Sequence, residues 1–553
     1  LFVVQVFPQN SVATKANPDG KTSSPVTGEQ IENDVSEALT VIPDNYVVSD
    51  KKLDYNEIFK SSIDSMLHTL DPHSNYFDAK EFEEFRTEQS SQYFGIGASI
   101  GNMLDASGDP IATYIRATFE GAPANRAGLR YGDKILEVNG VSMLGKSSSE
   151  VRTFLIGPRG TTAKIKVEHY GGKIETVEIV RDAVPQPSVP EAYMIRPGVG
   201  YISMMNSNFT QTTYNEFRTA MASLKAQGMQ NLILDLRGNG GGLVSQALQV
   251  ANTFLSDGQI IFTQKGRLDN ASEPFAAQNK NPDQTPIVML VNRNTASASE
   301  ILAGALQDHD RALIVGETTF GKGLVQLPMP LDYGSMLLLT IAKYQTPSGR
   351  LIQRDYSNGD FYSYYSHGGT LADDSKPVAP TGAESKTDTG RPVYGGGGIT
   401  PDDPVKPETI SGERNNQQLK LILGPVFAFS LDLAFGQIPG FENYKVDRPI
   451  QYDYDLKPTD FPITEPLFQA FKKYAMEKYK VPAALVDREK EIIERSIRTE
   501  LATAAYGTTT ANQVFNEYDP QLKKAIADLP RAKQLASDSA KVYAQKSLSQ
   551  TNR

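Results

Sequence analysis

The chain has 553 residues, 39% of them hydrophobic, a net charge of -10 and no cysteine. That length suggests about three or four domains, and the hydrophobic content is enough for sizeable cores and excludes a wholly disordered chain. An acidic balance with no long basic run argues against a dedicated nucleic-acid binder, because phosphate affinity rests on clustered Lys and Arg. Without cysteine there are no disulfides, no thiolate catalysis and no cysteine metal sites. The five histidines, His68, His73, His169, His309 and His367, do not pair at metal-ligand spacing, so no metal site is expected. No apolar run approaches the roughly 20 residues of a membrane span.

The chain opens LFVVQVFPQN, and its first six residues fit the end of a signal sequence's apolar region. Residues 8–28 are rich in Pro, Ser, Thr, Asn and Gly and read as a flexible lead-in, so 1–28 is lead-in or signal remnant. From Glu29 the pattern is helical, with Ile31, Val35 and Leu39 on one face; a second helix spans about Tyr55 to Leu70 and ends at Asp71-Pro72. These define an N-terminal helical segment, 29–92. Residues 93–187 change character. IATYIRAT, KILEVNGV, TAKIKVEHY and ETVEIVRD alternate and are separated by turns such as Asn139-Gly140, which predicts a small β module.

From 188 to 407 strands and helices alternate. YISMM, NLILDL, PIVMLVN, RALIVGE and MLLLTIAKY are the strands; EFRTAMASLKAQ, VSQALQVANTFL and SASEILAGALQD are the helices. This predicts an α/β layered core with buried strands. Residues 366–404, poor in apolar residues, read as a long surface loop. Residues 408–553 form a helical extension, as in REKEIIERSIRTELATAAYG. The fold class is therefore multidomain, α/β plus β.

Two stretches carry chemistry. In LILDLRGNGGGLVSQAL, Leu232 to Leu248, a strand meets four glycines within five residues and then a helix. Such a turn offers backbone N–H groups to an anion, either a phosphate or a charge that exists only during a reaction. In NRNTASASEILAGALQDHDRALIVGETTFGKGLVQ, Asn292 to Gln326, a strand ends and a helix starts near Ser297 and Ser299. Residues of this type before a helix are usually caps, and Glu300 in the first turn suits the helix dipole. A serine nucleophile would need a base. His309 lies twelve residues after Ser297, ~18 Å along a helix and out of reach. Lys322 follows a further strand that can bring it back beside the helix start. Burial would lower its pKa and make it a base; in solvent it would be an ordinary turn lysine or a phosphate contact.

TASASE followed by GETTFGKGLVQ, with the lysine 25 residues after the serine and a glutamine four further on, resembles the C-terminal processing peptidases, the tail-specific proteases. The resemblance implies Ser297 as nucleophile, Lys322 as general base and Gln326 orienting the lysine, with Ser299 a cap-like neighbour. DLRGNGGG is similar to the family's glycine turn, so the amides of Gly242 and Ala298 would form the oxyanion hole. The nucleotide reading fails on register: neither G-x-G-x-x-G nor the P-loop pattern is present. YFGIGASIG and GAPANRAGLRYGDKILEVNG resemble a PDZ domain, which binds peptide C-termini by strand addition. By that match Phe94, Gly95, Ile96 and Gly97 form the loop that holds the terminal carboxylate. LHTLDPHSNYF resembles the family's segment before its PDZ module; there Asp71 and Ser74 are expected to make local turn bonds, with His73 in no catalytic role. GGGGITPDDPV resembles its closing motif, so the resemblance runs from about Glu29 to Asp403.

The implied protein is an ATP-independent serine endopeptidase without metal or cofactor, selecting substrates by exposed apolar C-termini. A crotonase/Clp-protease-like core would carry the inserted PDZ domain. An inactive PDZ-bearing scaffold is the alternative, and gating of an active core by the PDZ module is a third reading. The helical extension could dock on the core, drive homodimerisation or help to form a substrate cage. Family resemblance, cysteine-free composition and the signal-like start point outside the cytoplasm, to a bacterial periplasm.

Overall fold

The computed structural model describes residues 26–47, 54–105, 107–267, 272–357, 364–365, 382–408, 410–446 and 448–551. The expected lead-in lies outside them as far as residue 25, and so does the first part of the expected loop, 366–381. The chain divides into two compact units, Leu1–Met66 and Leu67–Arg553. In the first, the helix Gly28–Asn45 starts at a capping box between Thr27 and Gln30, and none of its residues is buried.

In the second unit the centre is a six-stranded sheet. Its order is Glu191–Arg196, Val199–Ser203, Asn231–Asp235, Ile287–Val291, Ala312–Gly316, Asp403–Pro404, with only the first pair antiparallel. Side chains alternate along these strands, so both faces are apolar. Leu232, Leu234, Ile287, Met289, Val291 and Ile314 join one core with residues of the helices Thr213–Ala226, Val244–Phe254 and Ala298–Asp308. Ile233, Val288, Leu290, Leu313 and Val315 face the other way, against Leu522, Ala525, Leu529 and Ala532. Those four belong to the helices Pro520–Ala527 and Leu529–Thr551. The C-terminal extension thus docks on the core and supplies its second layer, so a core ending at 407 would leave one sheet face uncovered.

Three further expectations need correction. The strand Met336–Gln345, expected among the buried strands of the layered core, lies outside the central sheet. It anchors a separate antiparallel sheet with Leu324–Pro330, Ile260–Gly266, Glu273–Ala276 and Asn75–Phe77. An apolar run does not distinguish the two settings, and this strand is mostly half-buried. The strand Asn75–Phe77 also shows that 29–92 is not purely helical; its last part belongs to the peptidase layer. Finally, 382–404 is not simply surface loop. It forms the hairpin Glu384–Lys386 with Pro392–Tyr394, buries Ile399 and contributes an edge strand to the central sheet.

The β module is a five-stranded antiparallel path, Ala98–Leu104, Pro110–Thr118, Lys134–Val138, Thr162–Glu168, Ile174–Val180, with Val141–Ser142 paired to the third. The helix Ser148–Leu155 packs on it, and its Ser147/Glu150 capping box was present in the sequence as SSSE. The extension grips the module as well. Glu500 pairs with Arg116, accepts a 2.9 Å bond from Tyr131 Oη, and the Arg116 guanidinium lies 3.9 Å from the Phe427 ring centroid.

Candidate active site

Ser297 stands where the strand Ile287–Val291 gives way to the helix Ala298–Asp308. Its backbone has φ 58° and ψ -119°, a left-handed conformation that costs a non-glycine residue about 1–3 kcal/mol. The residues that hold it there also hold Lys322. Glu300, fully buried, accepts from the Ser297 amide at 2.9 Å, the Lys322 amide at 2.8 Å and the Gly321 amide at 2.7 Å, and also from Thr319 Oγ1. Tyr344 Oη donates to the carbonyls of Ser297 at 3.1 Å and Lys322 at 2.9 Å. Two buried side chains therefore fix the serine and lysine backbones to each other. Glu300 does more than complement a helix dipole.

Lys322 Nζ donates to Gln326 Oε1 at 2.7 Å. Gln326 Nε2 in turn donates to the His73 carbonyl. Burial lowers the lysine pKa, while Asp71 and Glu300 pull it the other way. Glu300 and Tyr344 thus tie the Ser297 and Lys322 backbones together, and among the described residues no hydrogen bond joins the Ser297 hydroxyl to the Lys322 amine. His309 is at the far end of the serine helix, bonded to Asp388 and the Ile260 carbonyl.

The segment Asp71–Asn75 makes the expected turn: Asp71 accepts from the His73 and Ser74 amides at 2.8 and 2.9 Å and from Ser74 Oγ at 2.7 Å. It is also a buttress. The His73 ring is buried beside Phe320, Tyr364 and Tyr365, bonded to Tyr364 Oη at 2.7 Å. Burial, then the Lys322 charge, push its pKa down to about 3, so it stays neutral.

The glycine turn closes on the serine. Gly241 has φ +97°, and a Cβ there would lie 2.7 Å from Ser297 Cβ and 2.9 Å from the Ala298 nitrogen. Only glycine allows that approach. Asn239, fully buried, joins the turn to the helix: its Oδ1 accepts from Ser299 Oγ at 2.7 Å and from the Gly241 amide at 3.0 Å, and its carbonyl accepts from the Ala296 amide at 3.0 Å. Ser299 is therefore a strut to the glycine turn, not a cap. Among the described residues the amides of Gly242 and Ala298 have no hydrogen-bond acceptor.

In the β module the strand Ala98–Leu104 is an edge strand. A groove of about 250 Å³ runs between it and the helix Ser148–Leu155, lined in part by Ile96, Gly97, Ile100, Arg152 and Leu155. Of the four expected loop residues, Ile96 and Gly97 line this groove. Phe94 and Gly95 instead pair with the strand Asp182–Pro185.

Residues 198–362 match the peptidase family S41 and residues 115–169 match a PDZ domain. The chain is 35% identical over 308 residues to a carboxy-terminal-processing protease of Bartonella bacilliformis, covering 54% of this chain and 68% of that protein. It is 34% identical over 334 residues to the carboxy-terminal processing protease CtpA of Bacillus subtilis, covering 59% and 68%. Among solved structures, the photosystem II D1 C-terminal processing protease aligns with 29% identity and a TM-score of 0.33, over 59% of this chain and 90% of that one. With a glycine turn packed against Ser297, and with the matches to family S41 and to the Bartonella and Bacillus proteases, the chain belongs to the carboxy-terminal processing proteases of peptidase family S41, serine-type peptidases, and carries a PDZ domain.

Proposed function

We propose that Ser297 and Lys322 form the catalytic dyad of this peptidase and that Gln326 orients the lysine. The observation that carries this is the shared anchoring of the two residues by Glu300 and Tyr344, with the buried amine aimed by Gln326. Burial lowers the lysine pKa, which raises the fraction of neutral amine able to take the Ser297 proton. The hydroxyl oxygen attacks the scissile carbonyl. The negative charge then falls on the substrate oxygen, beside the Gly242 and Ala298 amides. Collapse expels the leaving amine, which takes the proton from Lys322, and water hydrolyses the acyl-enzyme by the same route. A fixed oxyanion donor typically contributes about 3–4 kcal/mol to barrier lowering.

Substrates enter by their C-termini. The apolar groove accepts an extended tail as an added strand along Ala98–Leu104, and the terminal carboxylate meets the corner at Ile96 and Gly97. We place the enzyme outside the cytoplasm; its cysteine-free sequence supports this, and cell fractionation tests it. The catalytic reading is tested by cleavage of an unfolded reporter with an apolar C-terminus. Ser297→Ala and Lys322→Arg are expected to abolish cleavage with folding intact, because the guanidinium does not deprotonate. Cleavage by either variant at the wild-type rate overturns the dyad.

A further inference from the structure

The C-terminal extension reaches the glycine turn itself. Arg237 begins that turn, and its guanidinium is held on one side by Asp235, at 3.0 and 3.1 Å from Nε. On the other side its Nη1 donates to Asp519 Oδ2 and, at 2.9 Å, to Gln521 Oε1. The Arg237 and Asp235 side chains are 9% and 0% exposed, Asp519 16%. Burial alone would lower the arginine pKa, but Asp235 and Asp519 outweigh it and keep the group charged. Tyr201 Oη adds a 2.8 Å bond to Asp235.

Asp519 also caps the helix Pro520–Ala527, and it divides the two tasks between its oxygens. Oδ1 accepts from the amides of Gln521 and Leu522 at 2.8 and 3.1 Å; Oδ2 faces Arg237. Capping needs no charge, since serine and asparagine cap as well as aspartate. A helix that only covered the sheet would require neither the second carboxylate oxygen nor Gln521 in this place. The turn they grip has positive φ at Gly238, Gly241 and Gly242, and glycine-rich backbone has little stiffness of its own. Its position must come from its anchors: the Gly238 amide on Asn292 at 2.9 Å, the Asn206 amide on the Arg237 carbonyl at 3.0 Å, Asn239 within, the Phe209 amide on the Gly241 carbonyl at 2.6 Å, the Leu243 amide on the Phe209 carbonyl at 2.8 Å, and the Arg237 side chain.

We propose that Asp519 is a positioning residue for the oxyanion-binding turn, acting through Arg237, so that the C-terminal extension is part of the catalytic apparatus. The inference rests on the reading of Gly242 and Ala298 as oxyanion donors. Asp519→Ser keeps a capping oxygen and removes the arginine's partner; Asp519→Asn keeps the cap and turns an amide donor toward the guanidinium. In the full chain, measured per folded molecule by circular dichroism, we expect kcat to fall about 10- to 100-fold, within the range for losing an oxyanion donor. KM should change less than about twofold, because the turn acts on the transition state and not on tail capture. A peptide aldehyde, which places an oxyanion in the site, should bind weaker by the same factor as kcat falls. Folded Asp519→Ser and Asp519→Asn enzymes with wild-type kcat and aldehyde affinity overturn the proposal. So does a loss of kcat with unchanged aldehyde affinity. Ser297→Ala runs alongside: if it cleaves, the dyad reading falls; if it is dead while both Asp519 variants keep full rate, only the positioning role falls.

Discussion

Glu300→Gln is the sharpest perturbation of the site short of removing the dyad. Four donors converge on the carboxylate: Thr319 Oγ1 and the Gly321 amide on Oε1, the Ser297 and Lys322 amides on Oε2. With donors on both oxygens the group is held as an anion, although burial pushes its pKa up. An amide of the same shape offers one acceptor oxygen and one donor. Its least costly orientation keeps the oxygen on Ser297 and Lys322 and lets the Thr319 hydroxyl turn to accept. The Gly321 amide is then left without an acceptor, in a buried site. A charge-assisted bond lost costs about 1.5–3 kcal/mol, and weakening of the others brings the expected destabilisation to ~2–4 kcal/mol. Glu300 also raises the Lys322 pKa, so neutralising it lets that pKa fall further. The acid limb of the kcat/KM–pH profile should therefore move to lower pH, while the maximum rate falls as the serine backbone loosens. Thermal melting and a pH series of kcat/KM check both. A variant with wild-type melting temperature and an unmoved acid limb would refute the idea that Glu300 is an ionised anchor of both residues.

Gly241→Ala should lower kcat by about 100-fold or more, the scale of a lost oxyanion donor, because a Cβ would collide with Ser297 and the Ala296 carbonyl at 2.8 Å; turnover on folded protein checks it. Ile100→Asp, in the groove of the β module, should raise KM for apolar-tailed substrates about tenfold or more by removing apolar burial, with kcat little changed, as steady-state kinetics would show. His73 has a folded pKa of about 3 against 6.5 unfolded. The unfolded chain then binds the extra proton between those values, so stability is full above about pH 6.5 and falls as pH drops toward 3. His73→Phe should flatten that part of the melting temperature–pH curve.

What was legible in the sequence was local. The strands and helices of the central layer and the glycine turn declare themselves within a short window, through periodicity and clustered glycines; Ser297 by itself reads as a helix cap, and the family resemblance singled it out. Gln326 was named only through the family resemblance of GETTFGKGLVQ, and the structure gives it a bond from Lys322. Contacts made across hundreds of residues were not legible. Nothing in LDPHSNY shows that the His73 carbonyl will meet Gln326, 253 positions away, or that Asp519 will reach Arg237, 282 away. Glu300 was read as a dipole partner because its donors come from a loop that only the fold brings back. The strand Met336–Gln345 was grouped with the buried strands of the α/β core, and its place in a second sheet was not legible because an apolar run has the same appearance in either sheet. SSSE, by contrast, was a missed local signal for the helix Ser148–Leu155.

The account stands on Ser297 being the residue that is acylated. Incubating the enzyme with a serine-directed acylating probe and mapping the adduct by peptide mass spectrometry tests this directly. A single adduct on Ser297, absent in Lys322→Ala, is the predicted result. An adduct on another residue that tracks loss of activity, or an unmodified Ser297 in inactivated enzyme, would contradict it.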